Sequence, residues 1–340
     1  MKQYLLPEAG QFYKANLHCH TNLSDGVLSP SEVKKRYQEK GYSIVAYTDH
    51  ELLFPMNHLT DEQFLALNGV ELSVNEKERL DPTGKKVHLG CIALEPDNHF
   101  TPCYHREKYC PGNIQANRKL AKFVPELPDF EREFSVTGIN AMIEEAKRSG
   151  FFVTCNHPKW SLVTEMDYCN YNGLHALEIC NFACITMGYE EYNPEIYDAL
   201  LRKNKPIYCI AGDDNHNYKP ADSRYWDSFG AFTMIKAERL DYRTITQALE
   251  KGHFYASQGP EIYEMFYEDG SVHLKCSPAE KIILTTARRR RKILWAKHGE
   301  TITEGVFSVE AEDGYFRITV TDHSGHPANT NAYFLRDISL

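Results

Sequence analysis

The sequence predicts an α/β barrel followed by a smaller antiparallel β-unit, and three observations predict it. Helix stop signals lead repeatedly into short apolar runs, three of those runs end in histidine-bearing polar clusters, and helix-strand alternation gives way to period-2 alternation after Gly259-Pro260. The 340 residues, 42% of them hydrophobic, can bury one large core or two, which excludes a disordered chain. A balance of 38 basic against 47 acidic residues, net −9, argues against a nucleic-acid coat protein or a membrane-surface protein.

Met1 to Glu8 contain one lysine and no apolar run of the signal-peptide kind, and no later stretch approaches ~18 consecutive apolar residues, so a cytoplasmic location is expected. Ser29-Pro30-Ser31-Glu32 combines an N-cap, a first-turn proline and a capping-box glutamate; it predicts a helix over 30–40 that stops at Gly41. Thr137 opens a second helix, with Ile139, Met142, Ile143 and Ala146 on one face and Gly150 as its stop. Asn193-Pro194 opens a third, turning Ile196, Leu200 and Leu201 inward, and Asp241 to Lys251 make a fourth, closed by Gly252. The runs that follow these helices, Tyr42 to Thr48, Phe151 to Cys155, Pro206 to Gly212 and Phe254 to Ser257, read as buried parallel strands of βα units.

Beyond Gly259-Pro260 the alternation is that of antiparallel strands. Phe316, Ile318 and Val320 are expected inward against Arg317 and Thr319 outward, and Phe307, Val309 and Ala311 inward against Ser308 and Glu310. Turn signals at Glu268-Asp269-Gly270, Gly299 and Glu312-Asp313-Gly314 complete a small β-sandwich over 260–340, with a first domain over 1–259. Arg288-Arg289-Arg290-Arg291-Lys292 reads as a basic turn or edge that deters sheet pairing, and secondly as a nucleic-acid contact. The ten cysteines sit mostly in apolar runs with no Cys-x-x-Cys pair, as reduced, buried thiols do. Cys103, His105 and Cys110 carry the ligand types of a structural zinc but lack the paired second half that such a site needs.

Six of the fifteen histidines and three carboxylates fall at or near strand ends. His18 and His20 alternate along a strand, so both imidazoles project to one side. Asp25 follows in the next loop, His50 ends the second apolar run, Glu71 follows Gly69-Val70, and His88 lies inside an apolar strand. His157 and the pair Asp214-x-His216 end two further strands. Each has an ordinary reading, as a turn aspartate or a satisfied core histidine; the convergence of nine is what burial preference alone does not produce.

In order and spacing, His18-x-His20-Thr21, Ser24-Asp25-Gly26, Thr48-Asp49-His50, Gly69-Val70-Glu71, His88, His157-Pro158 and Gly212-x-Asp214-x-His216 resemble the PHP (polymerase and histidinol phosphatase) phosphoesterases over residues 15–259. The resemblance implies a distorted (β/α)7 TIM-like barrel binding two or three divalent metals. By it, His18, His20, Glu71 and Asp214 hold the first metal, Glu71 bridges to a second held by His88 and His157, and Asp25, His50 and His216 hold a third. Asn-His-Pro, Glu178-Ile179-Cys180-Asn181 and Ser257-Gln258-Gly259-Pro260 are similar to the CehA-like subgroup. Two departures stand out: Asp213 occupies a position where serine is common, and residues 95–135 form an unmatched insert.

The chemistry implied is attack on a phosphoester by a water shared between carboxylate-bridged metals, with Mn, Fe or Zn the metals suited to mixed imidazole and carboxylate ligands. Glu71, Asp214 and His216 are the catalytic candidates, with Lys159 as a cation for a phosphate oxygen; Asn156, Asn181 and Arg224 are weaker candidates. The expected substrate is a small phosphorylated metabolite or a short nucleotide, with no membrane partner. An ester or carbamate hydrolase using the same centre is the alternative reading, followed by a non-catalytic metal-stabilised module.

Overall fold

The structure, a computed structural model, describes residues 2–78 and 81–338. Helix α1 (Pro30–Glu39) is closed by the expected box: Ser29 Oγ accepts the Glu32 N–H, and the Glu32 carboxylate accepts the Ser29 N–H at 2.9 Å. A short α2 (Gly112–Asn117) lies in the insert. Helix α3 (Val136–Arg148) begins one residue before Thr137, because Ser135 takes the capping role and accepts the Gly138 N–H at 3.0 Å. Its Ile139, Met142, Ile143 and Ala146 are buried as the spacing predicts. The one-turn α4 (Glu165–Tyr168) and α5 (Phe182–Thr186) precede α6 (Pro194–Arg202) and α7 (Tyr242–Glu250), which start on Asn193-Pro194 and on the Asp241 cap.

After a short β1 (Gln3–Tyr4), the barrel strands are β2 (Gln11–Asn16), β3 (Ile44–Tyr47), β4 (Leu65–Asn75), β5 (Lys86–Ala93), β6 (Phe151–Cys155), β7 (Ala176–Asn181) and β8 (Tyr208–Gly212), hydrogen-bonded in that order from β2 to β8. The expectation of parallel strands fails at β5, which runs antiparallel to both β4 and β6. Only residues 76–85 join β4 to β5, too short a link for the crossover a parallel pair requires. The ring closes past the ends of β2 and β8, where the Asp214 N–H donates to the His18 carbonyl at 2.9 Å and the His20 N–H to the Asn215 carbonyl at 3.1 Å. Strands β9 (Phe232–Ala237) and β10 (Phe254–Ser257) extend the sheet from β2, both antiparallel, so Phe254 to Ser257 is not a further parallel barrel strand.

The C-terminal strands are β11 (Ile262–Glu268), β12 (Ser271–Ala279), β13 (Lys281–Thr286), β14 (Lys292–Trp295), β15 (Ile302–Ser308), β16 (Tyr315–Thr321), β17 (Pro327–Thr330) and β18 (Tyr333–Phe334). They form two facing layers. One is β1-β11-β12-β15; the other, β14-β13-β16-β17, is hydrogen-bonded through β10 into the barrel sheet. Leu5, Leu6, Met265, Leu274, Ile282, Phe316, Ile318 and Val320 fill the space between the layers. The opposite face of β16 is buried too, correcting the outward placement of Arg317 and Thr319: Arg317 meets Asp198 of α6 at 2.7 and 2.9 Å. Ala311 is exposed, because β15 ends at Ser308 and the chain turns over 311–313. The basic run forms the β13–β14 turn and the start of the edge strand β14, with Arg290 paired to Glu310. Among the described residues no helix is long and apolar enough to cross a membrane.

Candidate metal centre

The nine residues singled out in the sequence meet at one end of the barrel. His18 and His20 extend β2, His50 follows β3, and His157, Asp214 and His216 follow β6 and β8. Because β5 is reversed, its residue at this end lies near its start, and that residue is His88. Glu71 sits within β4, at a backbone bridge to His50. Asp25 arrives on the loop after β2, where a side chain at Gly26 would place Cβ 2.7 Å from the His20 carbonyl oxygen. Asp214 and His157 hold left-handed backbones, φ +54° and +27°, a conformation non-glycine residues adopt where surrounding contacts enforce it.

The Glu71 carboxylate is the hub. Its oxygens lie 3.0 Å from His18 Nε2, 3.4 Å from His20 Nε2, 3.2 Å from both His50 Nδ1 and His88 Nδ1, and 3.3 Å from His157 Nε2. Asp214 Oδ1 is 3.1 and 3.0 Å from His18 and His20. The Asp25 carboxylate lies 3.6 Å from His20, 3.4 Å from His50 and 3.6 Å from His216. Three overlapping groups result, each with ligand atoms within 4.8 Å of one another: His18, His20, Glu71 and Asp214; His50, Glu71 and His88; and His20, Asp25, His50 and His216. The first matches the set the resemblance implies. The second takes in His50, with His157 beside the other Glu71 oxygen, and the third gains His20.

Burial works against charge throughout this cluster, and mutual pairing outweighs it for most members. Histidines 50, 20 and 216 draw the Asp25 carboxyl far below its ordinary value, and His88 and His18 do the same to Glu71. Asp214 is held down by His18, His20 and His216. The carboxylates raise His18 well above the usual imidazole range and His20 to about 10. Burial prevails at His88, lowered to about 4, and at His216, which His20 also lowers; both are thus held neutral, the form in which imidazole binds metal.

Among the described residues eleven buried side-chain polar atoms lack a hydrogen-bond partner, and five belong here: His20 Nδ1, His50 Nδ1, Glu71 Oε2, His88 Nδ1 and Asp214 Oδ1. A buried polar atom left so costs about 1–3 kcal/mol. Imidazole and carboxylate lone pairs converging in this way fit divalent cations of the Mn, Fe or Zn kind.

Around the ligands lies a shell of hydrogen bonds. Asn156 donates to Glu71 at 2.8 Å, and Asn181 to Asp214 at 3.0 Å and Glu178 at 2.9 Å. Glu178 in turn meets His18 Nδ1 at 2.9 Å, the carboxylate partner that fixes a ligand imidazole. Asp49 accepts from Thr21 and Ser24 and so shapes the loop bearing Asp25; Asp227 accepts the His216 N–H. Asp213 faces away from Asp214, accepting backbone N–H groups of Phe229, Gly230 and Ala231 at 2.7–3.0 Å, with burial raising it to about 6. The sequence reading missed Glu178, Asp49 and Asp227 as supports; Asp49 adjoins His50 and Glu178 opens the Glu178–Asn181 motif, which is the signal available for those two, whereas Asp227 lies eleven residues beyond His216.

The cluster floors a cavity of about 1100 Å³. Lys159 does not line it: Glu191 binds the backbone N–H groups of Lys159 and Trp160, and the Lys159 ammonium lies on Glu195 at 2.7 Å. The lysines that do line it are Lys86 and Lys219. Lys86 stands two residues before His88 on one strand, a same-face spacing that could have marked it. Arg224 is exposed over Tyr225 and off the cavity. Cys103 and His105 turn to Met142 and Glu131, and with Cys110 they form no ligand cluster among the described residues. The insert supplies Glu107, Tyr109, Cys110 and Pro111 to the cavity wall.

No family model matches the chain. A curated relative, a 5'-3' exoribonuclease of Haemophilus influenzae, is 36% identical over 78 residues, 22% of this chain; the match spans about a quarter of that relative, 27%. Among solved structures, a two-domain protein containing a predicted PHP-like metal-dependent phosphoesterase from Bacteroides vulgatus is 15% identical, covering 99% of this chain and 98% of that one at a TM-score of 0.45. A putative metal-dependent phosphoesterase from Bifidobacterium adolescentis is 15% identical over 64% of this chain and 91% of that one, TM-score 0.41.

Proposed function

We propose that the chain is a metal-dependent phosphoesterase of the PHP family, CehA-like in its motifs, acting on a small phosphorylated metabolite or a nucleotide. The observation that supports this is the Glu71 carboxylate with five imidazole nitrogens within 3.4 Å of its oxygens, at the floor of an open cavity. Under this reading His18, His20, Glu71 and Asp214 hold one metal, Glu71 reaches to a second with His88 and His157, and Asp25, His50 and His216 serve a third. Divalent ions so held lower the pKa of water and neutralise charge on a phosphoryl group. The chain's own part is to aim the carboxylates through Asn156 and Asn181, to wall the site with Trp160, and to offer Lys86 and Lys219 to an anionic substrate. The short identity to a protein named as an exoribonuclease supports a phosphoester over a carboxyl ester.

Metal analysis of protein purified without chelator tests the reading, with a panel of phosphomonoesters, phosphodiesters and carboxyl esters. Two to three metals per chain are expected, and Glu71→Ala should lose metal from more than one site at once. Full occupancy in that variant, or turnover confined to carboxyl esters, overturns the proposal.

A further inference from the structure

The rings of the third cluster are stacked. His20 and His216 have centroids 4.4 Å apart and planes 20° apart, and Tyr218 stacks on His216 at 5.6 Å and 23°. Three near-parallel rings therefore run from the buried floor of the site to its mouth, where Tyr218 is 62% exposed and lines the cavity. The Tyr218 hydroxyl donates to the Asp25 carbonyl oxygen, which pins the ring in place. A fixed aromatic face pays little entropy on binding a flat partner.

The same cavity is lined by Tyr225, 55% exposed, Tyr189, 42% exposed, and Met187, 62% exposed, with Lys219 next to Tyr218 in the chain. Large apolar groups held open to water inside a cavity mark a binding surface. At about 1100 Å³ the cavity also holds far more than a phosphoryl group. Resting on the phosphoesterase reading, we infer that Tyr218 is a stacking platform that selects phosphoesters whose alcohol carries a planar ring of the nucleobase class. The ring seats on Tyr218 while the phosphoryl group lies at the cluster of Asp25, His50 and Glu71.

Adenosine 5'-monophosphate and ribose 5-phosphate share the phosphoester and differ in the ring. Their kcat/KM ratio is to be compared in the wild type, Tyr218→Phe and Tyr218→Leu, alongside calorimetric titration of the metal-loaded proteins with adenosine. Tyr218→Leu should lower the ratio and weaken adenosine binding by about tenfold, the scale of one lost base-stacking contact. Tyr218→Phe, which keeps the ring without its hydroxyl, should hold the ratio near the wild-type value. An unchanged ratio in Tyr218→Leu overturns the inference, as does an equal fall in Tyr218→Phe, which would reduce the tyrosine to an anchor for the Asp25 loop. If neither phosphoester is cleaved, the phosphoesterase reading is decided by the wider ester panel and the adenosine titration decides this one: binding that depends on the Tyr218 ring sustains the platform, and its absence removes it.

Discussion

Carboxylates and imidazoles are packed into the candidate metal centre at a density that only charge pairing or metal sustains, and the consequence is readable in pH. In chelated protein, Asp25, Glu71 and Asp214 have folded pKa values below their ordinary ones, so their contribution is present above about pH 4 and lost as pH falls. His18, His20 and His157 are raised, so theirs is complete below about pH 6.5 and lost as pH rises, for His20 through about 10. The chelated protein should therefore lose Tm steadily from about pH 6.5 upward, while the metal-loaded protein, whose histidines bind as neutral ligands, should lose little. Thermal unfolding of both forms between pH 5 and 9 checks this. At this scale the sequence was informative: the spacing of His18 and His20 and the strand-end positions of His50 and His157 brought the ligands into view. Asp227 stayed hidden because a buried supporting carboxylate outside any motif has no local signature; only the side chain opposite distinguishes it from a solvated one.

Between residues and the whole, the insert is the element that makes this site particular. Arg132, its side chain 2% exposed, donates to Glu51 at 2.5 Å, to the Ser73 carbonyl at 2.9 Å and to the Cys103 carbonyl, and lies 4.2 Å over the Tyr109 ring. Glu51 follows His50 at φ +65°, and its N–H donates to the Glu71 carbonyl at 2.8 Å. One guanidinium thus ties the insert to two ligand-bearing segments. Arg132→Ala leaves Glu51 buried without its countercharge and should cost about 3–5 kcal/mol in urea unfolding. It should also open residues 104–128 to proteolysis and weaken the metal held with His50. Capped helices were legible because a cap is local chemistry; the reversal of β5 and the anchoring of the insert were not, since both depend on which segments meet in space.

Across the whole molecule, the sheet runs without a break from the barrel through β10 and β17 into the C-terminal layer. Asn331 donates to the Gly252 and Phe254 carbonyls at 3.0 Å and accepts the Cys209 N–H at 2.9 Å, and Arg317 is buried against Asp198. The change of pattern at Gly259-Pro260 was legible in sequence, whereas the burial of β16 on both faces was not, because period-2 alternation is silent about what covers the polar face. Arg317→Met strands Asp198 in the interface and should cost about 3–5 kcal/mol, more than Arg317→Met combined with Asp198→Leu. Denaturant unfolding of the two variants checks the order; a double variant less stable than the single one would mean that the pair itself supplies the stabilisation.

The seam that closes the barrel is made of the same residues that form the candidate metal centre. His18 and His20 hand their backbone groups to Asp214 and Asn215 and their side chains to the cluster. Ion loading and ring closure are then one event seen from two sides: in deuterated solvent the amides of His20 and Asp214 exchange only when the seam parts, so metal should slow them together while leaving the amides of β12 and β15 at their own pace.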